Sequence, residues 1–250
     1  MCDEWMRPLE LNISFDEFRR LPRNNAYKYE YLNGRAYLSP RPKFYHAVLD
    51  LDTFVPTSTE ANSCISLRRL VPDDWDNLVP LFVAAFDRQE PFCRLNDEER
   101  AQAVRQSLER VRTGGDGPLI EQASFVAVDT RHNMDVGAIL VTLLPDTDPS
   151  DWGAFQWDHD PPADCIARRM GRPHLTWVFV HSWVSGQGAG SVLLAGSVAH
   201  LLSLGYHQMA STLLPTNDSS VTWHWRNGFR LVEYAGSRRR AERRMREKNS

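Results

Sequence analysis

The sequence predicts an α/β fold of the α+β kind carrying an N-terminal β-hairpin appendage, and three features predict it. Alternating aromatic residues flank Asn33-Gly34 in YKYEYLNGRAYLSPRP, the strongest short-range hairpin signal available. Downstream of a polar seam, strand-like and helix-like stretches follow in the order β-α-α-β-β-β-α-β-α-β. One of those strands runs through a glycine-rich turn, VSGQGAG, straight into an apolar helix. A chain of 250 residues with 42% hydrophobic content buries one substantial core, with room for a small appendage but not for two full domains.

Taken in order, residues 1–52 are expected to form a helix and hairpin appendage, and TFVPTSTEANS (53–63) a linker, being polar, Thr/Ser-rich and broken by Pro56. The main domain spans 64–236. It opens with a strand at 65–70, and VPDDWDNLVPLFVAAF then starts a helix with Pro72 near its first turn and acids at its N-terminal end. NDEERAQAVRQSLERVRTGG is a second helix, capped by Asn96 and closed by Gly114-Gly115. Strands at 124–130 and 135–145 flank a polar turn at 131–134. Residues 146–172 are acid-rich, proline-broken and too long for a simple connection, which marks a functional or covering insertion. An apolar strand at 174–180, a helix at about 190–204, a strand at 208–214, a helix after Asn217 and a strand at 229–234 complete the domain.

The net charge is −3, yet residues 238–250 carry seven Arg/Lys and two Glu, so a +5 tail follows a body of −8. The tail suits an acidic partner or nucleic acid through phosphate neutralisation. No aromatic residue interleaves its arginines to stack on bases, which favours a solvated extension. The four cysteines show no CxxC pairing, so neither a zinc site nor a disulfide framework is indicated, and no metal is expected. Asp158-His159-Asp160 has no second ligand cluster at recognisable spacing. MCDEWMRPLELN has acids where a signal peptide carries basic residues, and no run of about 18 apolar residues appears, so a cytoplasmic protein is expected.

Three chemistries share a glycine-rich strand-to-helix turn. A P-loop needs Lys-Ser/Thr after its last glycine, and Gly190 is followed by Ser191-Val192. A dinucleotide fold needs GxGxxG and an acid about twenty residues later, whereas this is GxGxG with no acid before Asp218. What remains is a run of backbone N–H groups from Gly186 to Ser191 at a helix N-terminus, a cradle for a diphosphate.

The run VHSWVSGQGAGSVLL resembles the acyl-coenzyme A signature of the GNAT superfamily of N-acetyltransferases, V-x-P-x-x-[Q/R]-G-x-G-[IAV]-[GA]. NDSSVTWHWRNGF resembles that family's second signature, N-x-x-[AS]-x-x-[LFW]-Y-x-[KR]-x-GF, at matching separation. The resemblance covers about 65–234 and implies an acyl-CoA N-acyltransferase fold, a central mixed, mostly antiparallel sheet flanked by helices. It implies acetyl-CoA as cosubstrate and a primary amine as acceptor, with direct transfer between them. The strand Trp177–Val180, with Val178 and Val180, would splay from its neighbour and bind the pantetheine arm through its main chain. Gly186, Gln187, Gly188, Ala189, Gly190 and Ser191 would hold the pyrophosphate, Asn217 would lie near the pantetheine, and Arg226 near a nucleotide phosphate.

The sequence departs from the pattern at positions that matter to mechanism. Ser185 stands for the family's Gln/Arg and Ser182 for its Pro, which removes one long polar anchor and leaves the N–H donors. His224 stands where many members carry the tyrosine that protonates the leaving thiolate. It is a candidate general acid with an ordinary pKa near about 6.5, or a satisfied histidine between Trp223 and Trp225. Asn217 also reads as a helix cap and Arg226 as a solvated surface charge. His174 and His181 are candidate bases by location only.

The acids of the 146–172 insertion stand among Trp152, Phe155 and Trp157, which suits a cationic amine, although Arg168, Arg169 and Arg172 offset that charge. The segment ISFDEFRRLPRNNAYKYEYLNGRAYLSPRPKFYHAVL is similar to the opening of the Uma-type endonuclease-like family, in which Glu30 would lie near the nuclease core. The acyltransferase-like domain begins about fifteen residues after His46, leaving no room for the carboxylates and lysine that must follow, so a hairpin module is expected rather than a nuclease. Two functions stand: a catalytic N-acetyltransferase, and a degenerate coenzyme-binding or interaction protein in which Ser185 and His224 mark lost chemistry.

Overall fold

The computed structural model describes residues 9–22, 27–40, 45–56, 64–89, 92–145, 157–214 and 217–232. Strands β1 (Leu9–Leu11), β2 (Tyr27–Leu32) and β3 (Arg35–Pro40) make a three-stranded antiparallel sheet in the order β1-β3-β2. Asn33 and Gly34 both take positive φ, 51° and 78°, as the two-residue turn joining β2 to β3 requires. Helix α1 (Phe15–Arg20) begins with a capping box in which Ser14 and Glu17 satisfy each other's backbone N–H. Its Phe15 and Phe18 cluster with Tyr31 of β2.

A seven-stranded sheet forms the body: β10-β4-β9-β8-β7-β6-β5. Its members are β4 (Tyr45–Asp50), β5 (Ile65–Arg69), β6 (Phe125–Asp129), β7 (Met134–Pro145), β8 (Gly171–Val180), β9 (Gln208–Leu213) and β10 (Arg230–Val232). All neighbours are antiparallel except β8 and β9, which the crossover helix α4 (Ala189–Ser203) joins in parallel. This is the mixed, mostly antiparallel sheet with flanking helices that the sequence predicts.

The residues 45–50, read from sequence as part of the appendage, correct that boundary: β4 is the penultimate strand of the main sheet, paired to β9 on one side and β10 on the other. Four consecutive residues, His46 to Leu49, are buried, as a strand covered on both faces demands.

Each face carries its own core. Helix α4 covers one, packing Leu193, Leu194 and Val198 on Phe125, Ile139 and Val141. Helices α2 (Asp74–Phe86) and α3 (Asp97–Arg112) cover the other, where Phe82 meets Trp177 and Phe179 of β8 at ring centroid distances of 4.8 Å. The Asn96 cap is present, reinforced by Glu99 as a capping box, and Gly114 takes φ 79° after the last turn of α3. Arg68 of β5 clamps Asp74 of α2 at 2.7 and 2.8 Å and Asp135 of β7 at 2.6 Å, fixing that helix to the sheet.

Of the 146–172 insertion, 146–156 lie outside the described residues. The remainder packs on the core through Cys165, with Trp157 Nε1 donating to the Leu143 carbonyl at 3.0 Å, and its last two residues already belong to β8. The basic tail 237–250 and most of the linker also lie outside the described residues.

Candidate functional site

The site starts from an irregularity in β8. Leu140 of β7 faces Trp177 and the next residue, Val141, faces Leu175, so Thr176 is an extra residue in the ladder. Such a bulge bends its strand and sharpens the local twist. Beyond it β8 stays paired to β7, but its parallel pairing to β9 is confined to His174 with Ala210 and Leu175 with Ser211. β9 meanwhile continues along β4 to Leu213. The sheet therefore forks between Thr176–Val180 and the end of β9, the splay expected of Trp177–Val180. Val178 and Val180 lie in the fork arm, half-buried and packed on the α4 side.

At the open end of that arm β8 passes through a short 3-10 turn, Ser182–Val184, into α4. Gly186 takes φ 77° and Gly188 φ 90°, left-handed values that glycine alone adopts without cost. Gly190 has a different reason: a Cβ there would stand 2.9 Å from Trp223 Nε1. Of the six N–H groups expected to face a ligand, two are used internally, Gln187 to the Val184 carbonyl at 3.2 Å and Ser191 to that of Gly188 at 2.9 Å. Those of Gly186, Gly188, Ala189 and Gly190 find no acceptor among the described residues. Four unpaired donors at the positive end of a 15-residue helix are an anion-binding arrangement. The Gln187 side chain donates to the Trp183 carbonyl at 2.9 Å, so it braces the turn.

Helix α5 (Asp218–Arg226) lies against this head. Asn217 is its cap, accepting from Ser220 N–H at 3.0 Å and Ser219 Oγ at 2.8 Å, and it is buried. Trp223 packs on the main core, and its buried indole N–H has no partner among the described residues. Arg226 is exposed in the last turn.

His224, the candidate general acid, has both ring nitrogens engaged. It is 4% exposed, wedged against Trp223 and Phe229. Its Nδ1 donates to the Ser220 carbonyl at 2.7 Å, so Nε2 is the acceptor and takes the Ser211 hydroxyl at 2.8 Å. Burial pushes its pKa down to about 4, and at neutral pH the ring is uncharged with its one proton engaged. It is a structural histidine bracing α5 on β9.

A second histidine network lies at the root of the fork. His174 joins Thr176 at 3.1 Å through Nδ1 and Thr212 at 3.1 Å through Nε2, tying the two diverging strands together. The chain extends to Thr142 Oγ1, 2.8 Å from Thr176, and to His46 Nδ1, 3.3 Å from Thr212, so it crosses β7, β8, β9 and β4. Burial, with the nearby Arg172 charge, pushes His174 down to about 3 and His46 to about 4. His181, the other candidate base, accepts from Trp183 N–H at 3.4 Å and lies half-buried at the start of the turn. The acids Asp158, Asp160 and Asp164 are exposed, while Asp146, Asp148 and Asp151 lie outside the described residues. Among the described residues no group of three or more His, Cys, Asp or Glu could hold a metal ion, and no helix is long and apolar enough to cross a membrane.

Sequence reasoning missed the Thr176 bulge, the Trp223 contact at Gly190 and the histidine network. Each joins residues distant in sequence, and no local pattern announces it.

No family model and no curated protein matches the chain. Similar solved structures include a GCN5-related N-acetyltransferase from Sphaerobacter thermophilus, 16% identical over 77% of this chain with a TM-score of 0.45; this chain spans half of that protein's length, 50%. Another is described as histone acetyltransferase HPA2 and related acetyltransferase from Corynebacterium glutamicum, 20% identical, covering 55% of this chain and 72% of its own, TM-score 0.37. A third is the PaiA N-acetyltransferase from Thermoplasma acidophilum in complex with coenzyme A, 13% identical, covering 67% of this chain and 91% of its own, TM-score 0.45.

Proposed function

We propose that the chain is an N-acetyltransferase, moving an acetyl group from acetyl-CoA directly to a primary amine. The observation that carries this reading is the set of four N–H groups, on Gly186, Gly188, Ala189 and Gly190, that find no acceptor among the described residues, at the end of a strand that has just parted from its parallel neighbour. The diphosphate of the coenzyme lies on those donors, with Gln187 and Ser191 holding the turn in shape. The pantetheine arm enters the fork, where main-chain groups of Trp177–Val180 released from β9, including Val178 and Val180, meet its amides. Asn217 caps α5 beside the arm, and Arg226 stands at the phosphate end.

The amine nitrogen attacks the thioester carbonyl, backbone N–H groups in the fork stabilise the oxyanion, and the carbon–sulfur bond breaks. The proton lost by the amine balances the one the thiolate gains. His224 does not supply it, because its single proton is held by the Ser220 carbonyl. That same observation favours one second reading, a coenzyme-binding protein that has lost transfer.

Calorimetric titration with acetyl-CoA, followed by a thiol-release assay against a panel of primary amines, cationic ones included, tests both. Micromolar binding with thiol release for at least one amine is expected. Binding without release from any amine leaves the second reading, and absence of binding removes both.

A further inference from the structure

Trp183 is 41% exposed on the turn that leads into the phosphate cradle. It lies three residues before Gly186, a chain reach of at most about 11 Å, comparable to the distance separating the diphosphate of a nucleotide from its base. The turn that carries it is braced from both sides: its carbonyl accepts from Gln187 Nε2 at 2.9 Å and its N–H donates to His181 Nδ1 at 3.4 Å.

The ring has company. His132, in the turn between β6 and β7, meets it edge-on with centroids 6.0 Å apart, and His181 lies at 5.8 Å. His132 is itself positioned, its Nδ1 being 3.2 Å from Oδ2 of Asp129, a carboxylate with no exposed surface. The same carboxylate takes Arg131 through Nε at 3.1 Å, Nη2 at 2.8 Å and its backbone N–H at 2.8 Å. Asp129 therefore commits a buried charge, paired with Arg131, to orienting one turn, and that turn presents an imidazole to Trp183. A flat aromatic face on the turn that leads into a diphosphate cradle has the chemistry of a nucleobase platform.

We infer that Trp183, backed by His132 and His181, is the shelf on which the purine ring of the bound nucleotide stacks. This rests on the acetyl-CoA reading and deepens it. The shelf supplies an anchor at the nucleotide end of the cradle, where Ser185 stands in place of a longer polar side chain.

The test compares coenzyme A with 4′-phosphopantetheine, which lacks the adenosine, its 3′-phosphate and one phosphate of the diphosphate, by calorimetry on the full chain and its Trp183→Ala and Trp183→Phe variants. Coenzyme A is expected to lose roughly 10-fold in affinity on Trp183→Ala, with most of the loss restored by Trp183→Phe and 4′-phosphopantetheine affinity unchanged. In the wild-type chain, 1,N6-ethenoadenine coenzyme A is expected to lose fluorescence on binding, and Trp183→Ala to abolish that quenching. An equal loss for both ligands would mean that the substitution merely distorts the turn and overturns the shelf, as would no loss for either. If the wild-type chain binds neither ligand, the coenzyme reading itself falls and takes the shelf with it.

Discussion

At Gly188 the backbone role of a glycine can be told apart from the ligand role proposed for it. Its φ of 90° costs any other residue about 1–2 kcal/mol, and its N–H is one of the four free donors. Gly114 at the end of α3 has φ 79°, and a Cβ added there would meet nothing within 4 Å, so it bears the backbone cost without the ligand role. Gly188→Ala and Gly114→Ala are therefore expected to lower stability by similar amounts in chemical denaturation, while only Gly188→Ala weakens acetyl-CoA binding, by tenfold or more. Equal affinities in the two variants would remove the cradle from coenzyme binding. The glycine turn was legible in the sequence because its determinants, alternating glycines before an apolar run, are contiguous. The Asn217 cap was legible for the same reason. The state of His224 was not, because it is decided by Ser211, thirteen residues away on another strand, whose hydroxyl turns a candidate acid into a satisfied buried ring.

Among the elements, β4 carries the largest consequence. Hairpins and capping boxes are local, and the Asn33-Gly34 turn, the helix α3 and the hairpin from β6 to β7 all formed where their residues called for them. Sheet membership is not local, and nothing in YHAVLD names β9 and β10 as its partners. The fork was equally hidden, since it accompanies a single extra residue, Thr176, in the β7–β8 ladder. Val48, Leu49 and Leu51, in and just after β4, are almost completely buried; at about 1.5–3 kcal/mol each their loss approaches the whole stability of an ordinary domain, about 5–15 kcal/mol. Removal of residues 1–44 leaves the seven strands intact, whereas removal of 1–52 takes out the penultimate strand and strands β10 without a partner. The shorter deletion is expected to give a soluble chain with a single cooperative thermal transition, and the longer one an aggregated or unfolded chain by the same measurement and by circular dichroism. Cooperative unfolding of the 53–250 fragment would show that β4 is dispensable and restore the boundary at residue 52.

At the scale of the whole molecule, three neutral histidines are buried in the β8-β9-β4 half of the sheet: His46 and His174 in the network at the fork, and His224 on the opposite face under α5. Their pKa values, about 4, 3 and 4, lie below the ordinary value near 6.5 because burial penalises the charged ring. The sign follows from proton counts. Above about pH 6.5 the rings are neutral in both folded and unfolded chains and contribute no pH dependence; below it the unfolded chain binds protons that the folded chain refuses. Stability therefore falls as the pH drops from about 6.5 towards 4, and this contribution levels off once the folded rings also protonate, below about 3. Each pH unit between the folded and unfolded values is worth about 1.4 kcal/mol per ring, so the three together cost on the order of 10 kcal/mol once fully expressed, comparable to the whole stability of a domain. Because His46 and His174 bridge the strands that border the fork, the loss opens the site and the core together. Urea unfolding across pH 7 to 4 is expected to show stability declining steeply below about pH 6.5, well above the range where carboxylates such as the Arg131-bound Asp129 begin to protonate. His224→Phe, which removes one of the three titrations, is expected to flatten that decline by roughly a third whatever it does to stability at pH 7. A wild-type curve that stays level between pH 7 and 5 would mean that the rings are already charged or reach water, and that the two networks do not hold the sheet in the way their hydrogen bonds indicate.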